Sequence, residues 1–64
     1  MQVNGRTYAY REGMTLLGLL AELDVRPKNV VVMHGETMYR RGEIPDVPVA
    51  PNDVIEIVKM MQGG

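Results

Sequence analysis

The chain of 64 residues contains no cysteine, no serine, no tryptophan and no phenylalanine. Without cysteine there is no disulfide, no thiol nucleophile and no thiolate metal ligand. Without serine, the hydroxyl nucleophiles are threonines and tyrosines, and none stands beside the single histidine, His34. Nothing suggests an acyl-transfer triad. His34 has no second histidine or acidic cluster at metal-ligand spacing, so it reads as a turn-lining or solvent-exposed residue. No glycine-rich phosphate-binding motif occurs. No apolar run approaches a membrane span, and the N-terminus lacks the basic-then-apolar form of a signal peptide, so the expected compartment is the cytoplasm, with no membrane partner. An excess of one charge sign is missing too. Seven basic residues face eight acidic ones, for a net charge of −1, which is no reason to expect nucleic-acid binding. The charges are scattered, and the one basic pair, Arg40-Arg41, reads as solvated surface.

What is present suits one small α+β domain. A chain of this length buries only about 60% of its unfolded surface, which leaves little room for an enclosed catalytic pocket. Asn4-Gly5 is a tight-turn signal, so residues 2–10 are expected to form a hairpin whose second arm is Arg6-Thr7-Tyr8-Ala9-Tyr10. Thr15 is a plausible N-cap for a helix in which Leu16, Leu19, Leu20 and Leu23 fall on one stripe. Gly18 costs that helix about 1 kcal/mol relative to alanine. Either it is a tolerated defect or another element approaches there. Asn29 to His34 is an apolar, β-branched run, either covered on much of both faces or interior to the sheet beside a helix. Thr37-Met38-Tyr39 reads as a short return strand. Pro45, Pro48 and Pro51 forbid a central strand over 42–53, which reads as an edge segment with Ile44, Val47 and Val49 as inward anchors. The last strand, Val54 to Met60, puts Ile55 and Ile57 on one face and Val54, Glu56, Val58 and Met60 on the other. The expected body is therefore residues 1–60, a mixed sheet with one helix packed on one face, followed by a flexible tail over 61–64.

The terminal Gly63-Gly64 reads either as a frayed end or as the place where the chemistry sits. Met61-Gln62-Gly63-Gly64, fully extended, spans up to about 14 Å. Two residues without Cβ thread a narrow channel and present an unhindered terminal carboxylate. Activated as an acyl-adenylate, that carboxylate accepts a sulfur nucleophile and becomes a thiocarboxylate, with no cysteine needed in this chain.

Taken whole, the chain resembles the ThiS family of sulfur carriers, which share the ubiquitin-like β-grasp fold with the small subunits of molybdopterin synthase. The resemblance rests on Val3-Asn4-Gly5, Thr15-Leu16-Leu17, Leu20 to Leu23, Val30-Val31-Val32, Asn52 to Val58 and Gly63-Gly64. His34-Gly35 stands where family members often carry Asn-Gly, and Gly18 where a helix former is common. The resemblance implies a protein co-substrate and no enzyme. A ThiF-type enzyme would use ATP and Mg to adenylate Gly64. A sulfur donor system such as a cysteine desulfurase would supply sulfur, and a thiazole synthase of the ThiG type would take it up for thiamine. Val58 and Met60 would lie on the docking surface, with Met61, Gln62 and Gly63 as the partner-binding tail. The rival readings are a carrier for molybdopterin or sulfur amino-acid synthesis, a ubiquitin-like conjugation modifier, and a non-covalent β-grasp interaction module.

Overall fold

Asn4 and Gly5 adopt φ of +54° and +81°, the two left-handed residues that a type I′ turn requires. The turn joins β1 (Gln2–Val3) to β2 (Arg6–Thr7), paired antiparallel with Val3 opposite Arg6. A computed structural model describes residues 1–59; the expectations for Met60, Met61, Gln62, Gly63 and Gly64 lie outside the described residues. The second arm is shorter than the alternation to Tyr10 predicts. Tyr8 still donates its amide to the Met1 carbonyl at 2.9 Å; beyond it the chain leaves the sheet, and Tyr8 and Tyr10 pack against the core. The Tyr8 hydroxyl donates a 2.8 Å hydrogen bond to Glu22 Oε1 on the helix, and Arg11 pairs with the other oxygen of the same carboxylate.

Thr15 caps α1 (Leu16–Glu22) as its sequence position predicts: its backbone is extended and its Oγ1 accepts from the Gly18 amide at 3.1 Å. This resolves the two readings of Gly18. Among the described residues a Cβ there would meet only the Thr15 hydroxyl, at 3.1 Å, so no other described element approaches this glycine. The helix closes on a left-handed residue, Asp24, at φ +59°. The Val25 amide reaches back to the Leu20 carbonyl and the Asp24 amide to that of Ala21, the paired bonds of a Schellman motif. Leu16, Leu19 and Leu20 are fully buried, whereas Leu23 is half-buried at the helix end.

A 3₁₀ turn over Pro27–Asn29 leads into β3 (Val30–His34), which returns through a turn at Gly35-Glu36 as β4 (Thr37–Tyr39). β5 (Val54–Lys59) completes a mixed sheet in the order β2-β1-β5-β3-β4. β5 runs parallel to β1 and antiparallel to β3, with Val3 opposite Ile55 and Val32 opposite Ile57. The helix covers one face only. There Val3, Val30, Val32 and Ile55 meet the leucine stripe, with Met14 as a buried addition that the sequence reading did not include. β3 is therefore an interior strand covered on one side: Val30 and Val32 are buried while Met33 is exposed. Of the two readings of that run, the strand beside a helix is the one realised.

Ile44 and Val49 are buried and Val47 packs against the core, so the three anchors of the proline-rich segment hold. The segment does not line a sheet edge, however. The Leu16 amide donates to the Val47 carbonyl and the Val49 amide to that of Met14, which lays the segment along the start of the helix. A segment with Pro45, Pro48 and Pro51 has too few amide donors for a ladder, and two bonds to residues 14–16 satisfy it where it lies.

Candidate functional site

The site is built around the end of β5. Because β5 is parallel to β1 and antiparallel to β3, its final residue Lys59 lies opposite Val30, the first residue of β3. Three connections gather at that end: the Asn4-Gly5 turn after β1, the Pro27–Asn29 turn before β3, and residues 40–42 after β4. The Gly42 amide donates to the Pro27 carbonyl at 3.1 Å and ties the last two together.

β1 accompanies β5 only as far as Ile55. One residue further on, the backbone ladder is continued by a side chain. The Asn4 amide donates to the Ile55 carbonyl at 2.9 Å, and the Asn4 Oδ1 accepts from the Ile57 amide at 2.7 Å. A single turn residue thus grips β5 twice, two and four residues before its end. The left-handed conformation, tolerated by asparagine better than by most residues, turns the carboxamide back toward the strand.

The uncovered sheet face carries the apolar surface. Val58 is half exposed, as are Val54 and Met38, and Met33 is 38% exposed. Val58 lies opposite Val31, and Met33 lies between Glu56 on one side and Met38 on the other. The sequence-predicted docking residue Val58 is therefore accessible on a face whose other apolar members, Val31, Met33 and Met38, the sequence reading did not single out. Alternation with the buried Val30 and Val32 was the available signal for Val31 and Met33. For Met38 no local signal exists, since its face is set by the register with Met33.

His34 is at the other end of the molecule and neither lines a turn freely nor faces open solvent. Its Nε2 lies 2.6 Å from Asp53 Oδ2, which also accepts the Ala50 amide at 2.8 Å. Partial burial pushes the Asp53 carboxyl up, but the His34 hydrogen bond, the Ala50 amide and the positive charge of His34 and the N-terminus outweigh it. The carboxyl therefore titrates below the usual range. The pair clamps the β3–β4 turn to the loop before β5. Among the described residues no three of the His, Asp and Glu side chains are grouped to hold a metal ion. No described helix is long and apolar enough to cross a membrane.

A five-stranded mixed sheet with one helix on one face and a parallel pairing of the first and last strands defines a ubiquitin-like β-grasp domain. The chain belongs to the ThiS family, whose model matches residues 1–64. It is also 43% identical over 53 residues to the sulfur carrier protein ThiS of Thermus thermophilus, a match covering 83% of each chain.

Proposed function

We propose that this protein is a sulfur carrier of thiamine synthesis: a co-substrate in the cytoplasm whose body is residues 1–60 and whose working tail is residues 61–64. The Gly64 carboxylate attacks the α-phosphorus of MgATP in the active site of a ThiF-type enzyme, and pyrophosphate leaves. A persulfide from a donor system such as a cysteine desulfurase then attacks the acyl carbon and displaces AMP to give an acyl disulfide. A thiol attacks the donor-side sulfur, the S–S bond breaks, and the tail leaves as a thiocarboxylate while the donor and that thiol are joined as a disulfide. A ThiG-type thiazole synthase consumes that sulfur. In this reading Val58 and Met60 contact the partner body, while Met61, Gln62 and Gly63 occupy its channel.

Membership of the ThiS family over residues 1–64, a span that includes Gly63-Gly64, carries this reading. The open apolar face supports it, because Val58 stands exposed one residue before the strand ends, beside the point from which the tail departs. The test is intact mass spectrometry after incubation with MgATP, a ThiF-type enzyme and a sulfur source. Replacement of one oxygen by sulfur at Gly64, absent when Gly64 is deleted, is the expected result. An unchanged mass beside a competent control carrier would refute the carrier chemistry.

A further inference from the structure

The basic residues look scattered in the sequence, but the topology collects them. Arg26 precedes the Pro27–Asn29 turn and Lys28 lies within it. Arg40 and Arg41 follow β4, whose last residue, Tyr39, is opposite Val32 near the start of β3. Lys59 ends β5 opposite Val30. The Gly42 amide bonded to the Pro27 carbonyl brings the Arg40-Arg41 segment against the 3₁₀ turn. Four of the seven basic residues therefore sit on connections that converge on one end of the sheet, and Lys59 at the strand end makes five, beside Arg6 after the Asn4-Gly5 turn. All five are exposed, and neither ion pair found among the described residues uses any of them. Asp24 and Glu43 are the carboxylates in the adjoining segments, which leaves that end net positive in a chain whose overall charge is −1.

We infer that this basic collar is a docking rim for an acidic protein surface surrounding the channel that receives the tail. The inference deepens the carrier reading and rests on it. Unpaired surface cations are ordinary when dispersed, but here they ring the end of the strand that leads to residues 61–64. They also adjoin the apolar face: Val58 precedes Lys59, and Tyr39, next to Met38, precedes Arg40. An apolar centre with a charged border is the usual anatomy of a protein–protein contact. Charge at such a border acts mainly on encounter and orientation, over a Debye length of about 8 Å at physiological ionic strength. A rim of this kind brings the tail to the channel mouth and leaves the chemistry at Gly64 untouched. A polyanionic nucleic acid is the less suitable partner for a chain of net charge −1.

The test compares wild type with the Arg26→Gln, Lys28→Gln, Arg40→Gln, Arg41→Gln variant. Two readouts are taken between 50 and 500 mM salt, roughly the range over which screening becomes complete: Kd for a ThiF-type enzyme without ATP, and KM and kcat for adenylation. At low salt the fourfold variant is expected to bind about tenfold more weakly, with KM raised to match, kcat unchanged and a flatter salt dependence. The control is Gln2→Glu with Thr37→Glu, which lowers the net charge as much as Arg40→Gln with Arg41→Gln but lies at the opposite end of the sheet; it is expected to behave as wild type. Equal Kd, KM and salt slope for wild type and the fourfold variant would overturn the rim. So would retention of single-stranded RNA by wild type but not by the variant, with enzyme binding unaffected. Salt-sensitive binding without any adenylation would leave the rim standing and defeat the carrier reading. Far-ultraviolet circular dichroism and Tm confirm folding, since all four side chains are exposed.

Discussion

The Ile57 amide donates a 2.7 Å hydrogen bond to Oδ1 of Asn4, 53 residues earlier in the chain. Asn4 thereby serves the turn through its left-handed backbone and the last strand through its side chain. Glycine keeps the first role and loses the second, whereas aspartate keeps an acceptor oxygen at the same place. Asn4→Gly is expected to cost about 1 kcal/mol and to speed exchange of the Ile57 amide roughly fivefold, at one decade per about 1.4 kcal/mol of lost protection. The amides of Glu56 and Val58, on the β3 side, should hold their protection, and Asn4→Asp should restore that of Ile57. Uniform loss of protection along β5 would mean that the bond is not a local latch.

The His34–Asp53 pair predicts a particular acid limb. A carboxyl whose folded-state value is depressed leaves the unfolded chain binding the proton first as pH falls. Its stabilisation is complete above the unfolded-state value and disappears as pH drops through the folded-state value. As pH falls below about 4, the wild type should lose Tm more steeply than Asp53→Asn. Parallel acid limbs in thermal melts of the two proteins would show that Asp53 contributes nothing to the linkage.

Asp24 closes the helix in a conformation that glycine adopts without a Cβ penalty, and it adds a negative charge to the helix end where negative charge is unfavourable. Asp24→Gly is accordingly expected to stabilise the protein by about 0.5–1 kcal/mol, visible as a higher urea midpoint with unchanged slope. A lower midpoint would assign the Asp24 side chain a stabilising role absent from its hydrogen bonds.

Val58 separates docking from folding. It is half exposed, so Val58→Ser should cost no more than about 1 kcal/mol of stability. If the open face meets the activating enzyme, the same change should raise the KM for adenylation several-fold, since apolar anchors at an interface centre carry most of the binding energy. An unaltered KM would move the contact elsewhere on the domain.

The parts legible in the sequence were those encoded over a few neighbouring residues. Asn4-Gly5 announced its turn, Thr15 its cap, and the leucine stripe its buried face, because each depends on local geometry. The second hairpin arm was overextended to Tyr10, since alternation cannot reveal that Tyr8 and Glu22 bond across the helix. The fate of His34 depended on Asp53, 19 residues away. The latch on Ile57 and the gathering of Arg26, Lys28, Arg40, Arg41 and Lys59 both depend on the insertion of β5 between β1 and β3. Spacing in one dimension cannot show that adjacency. The exposure of Val58 was legible because strand alternation placed it, whereas that of Met38 required the register.

The central place of β5 also governs when the domain can exist during synthesis. The β1–β2 and β3–β4 hairpins adjoin only through this strand. Until residues 54–59 have left the ribosome, the nascent chain holds two separate two-stranded ribbons and a leucine-rich helix with no sheet to cover, and such ribbons are barely stable alone. Assembly therefore waits for the strand that immediately precedes residues 60–64. A chain cut short before β5 lacks the tail together with the strand that joins the two hairpins, so truncated products are expected to stay unfolded and be left to proteolysis.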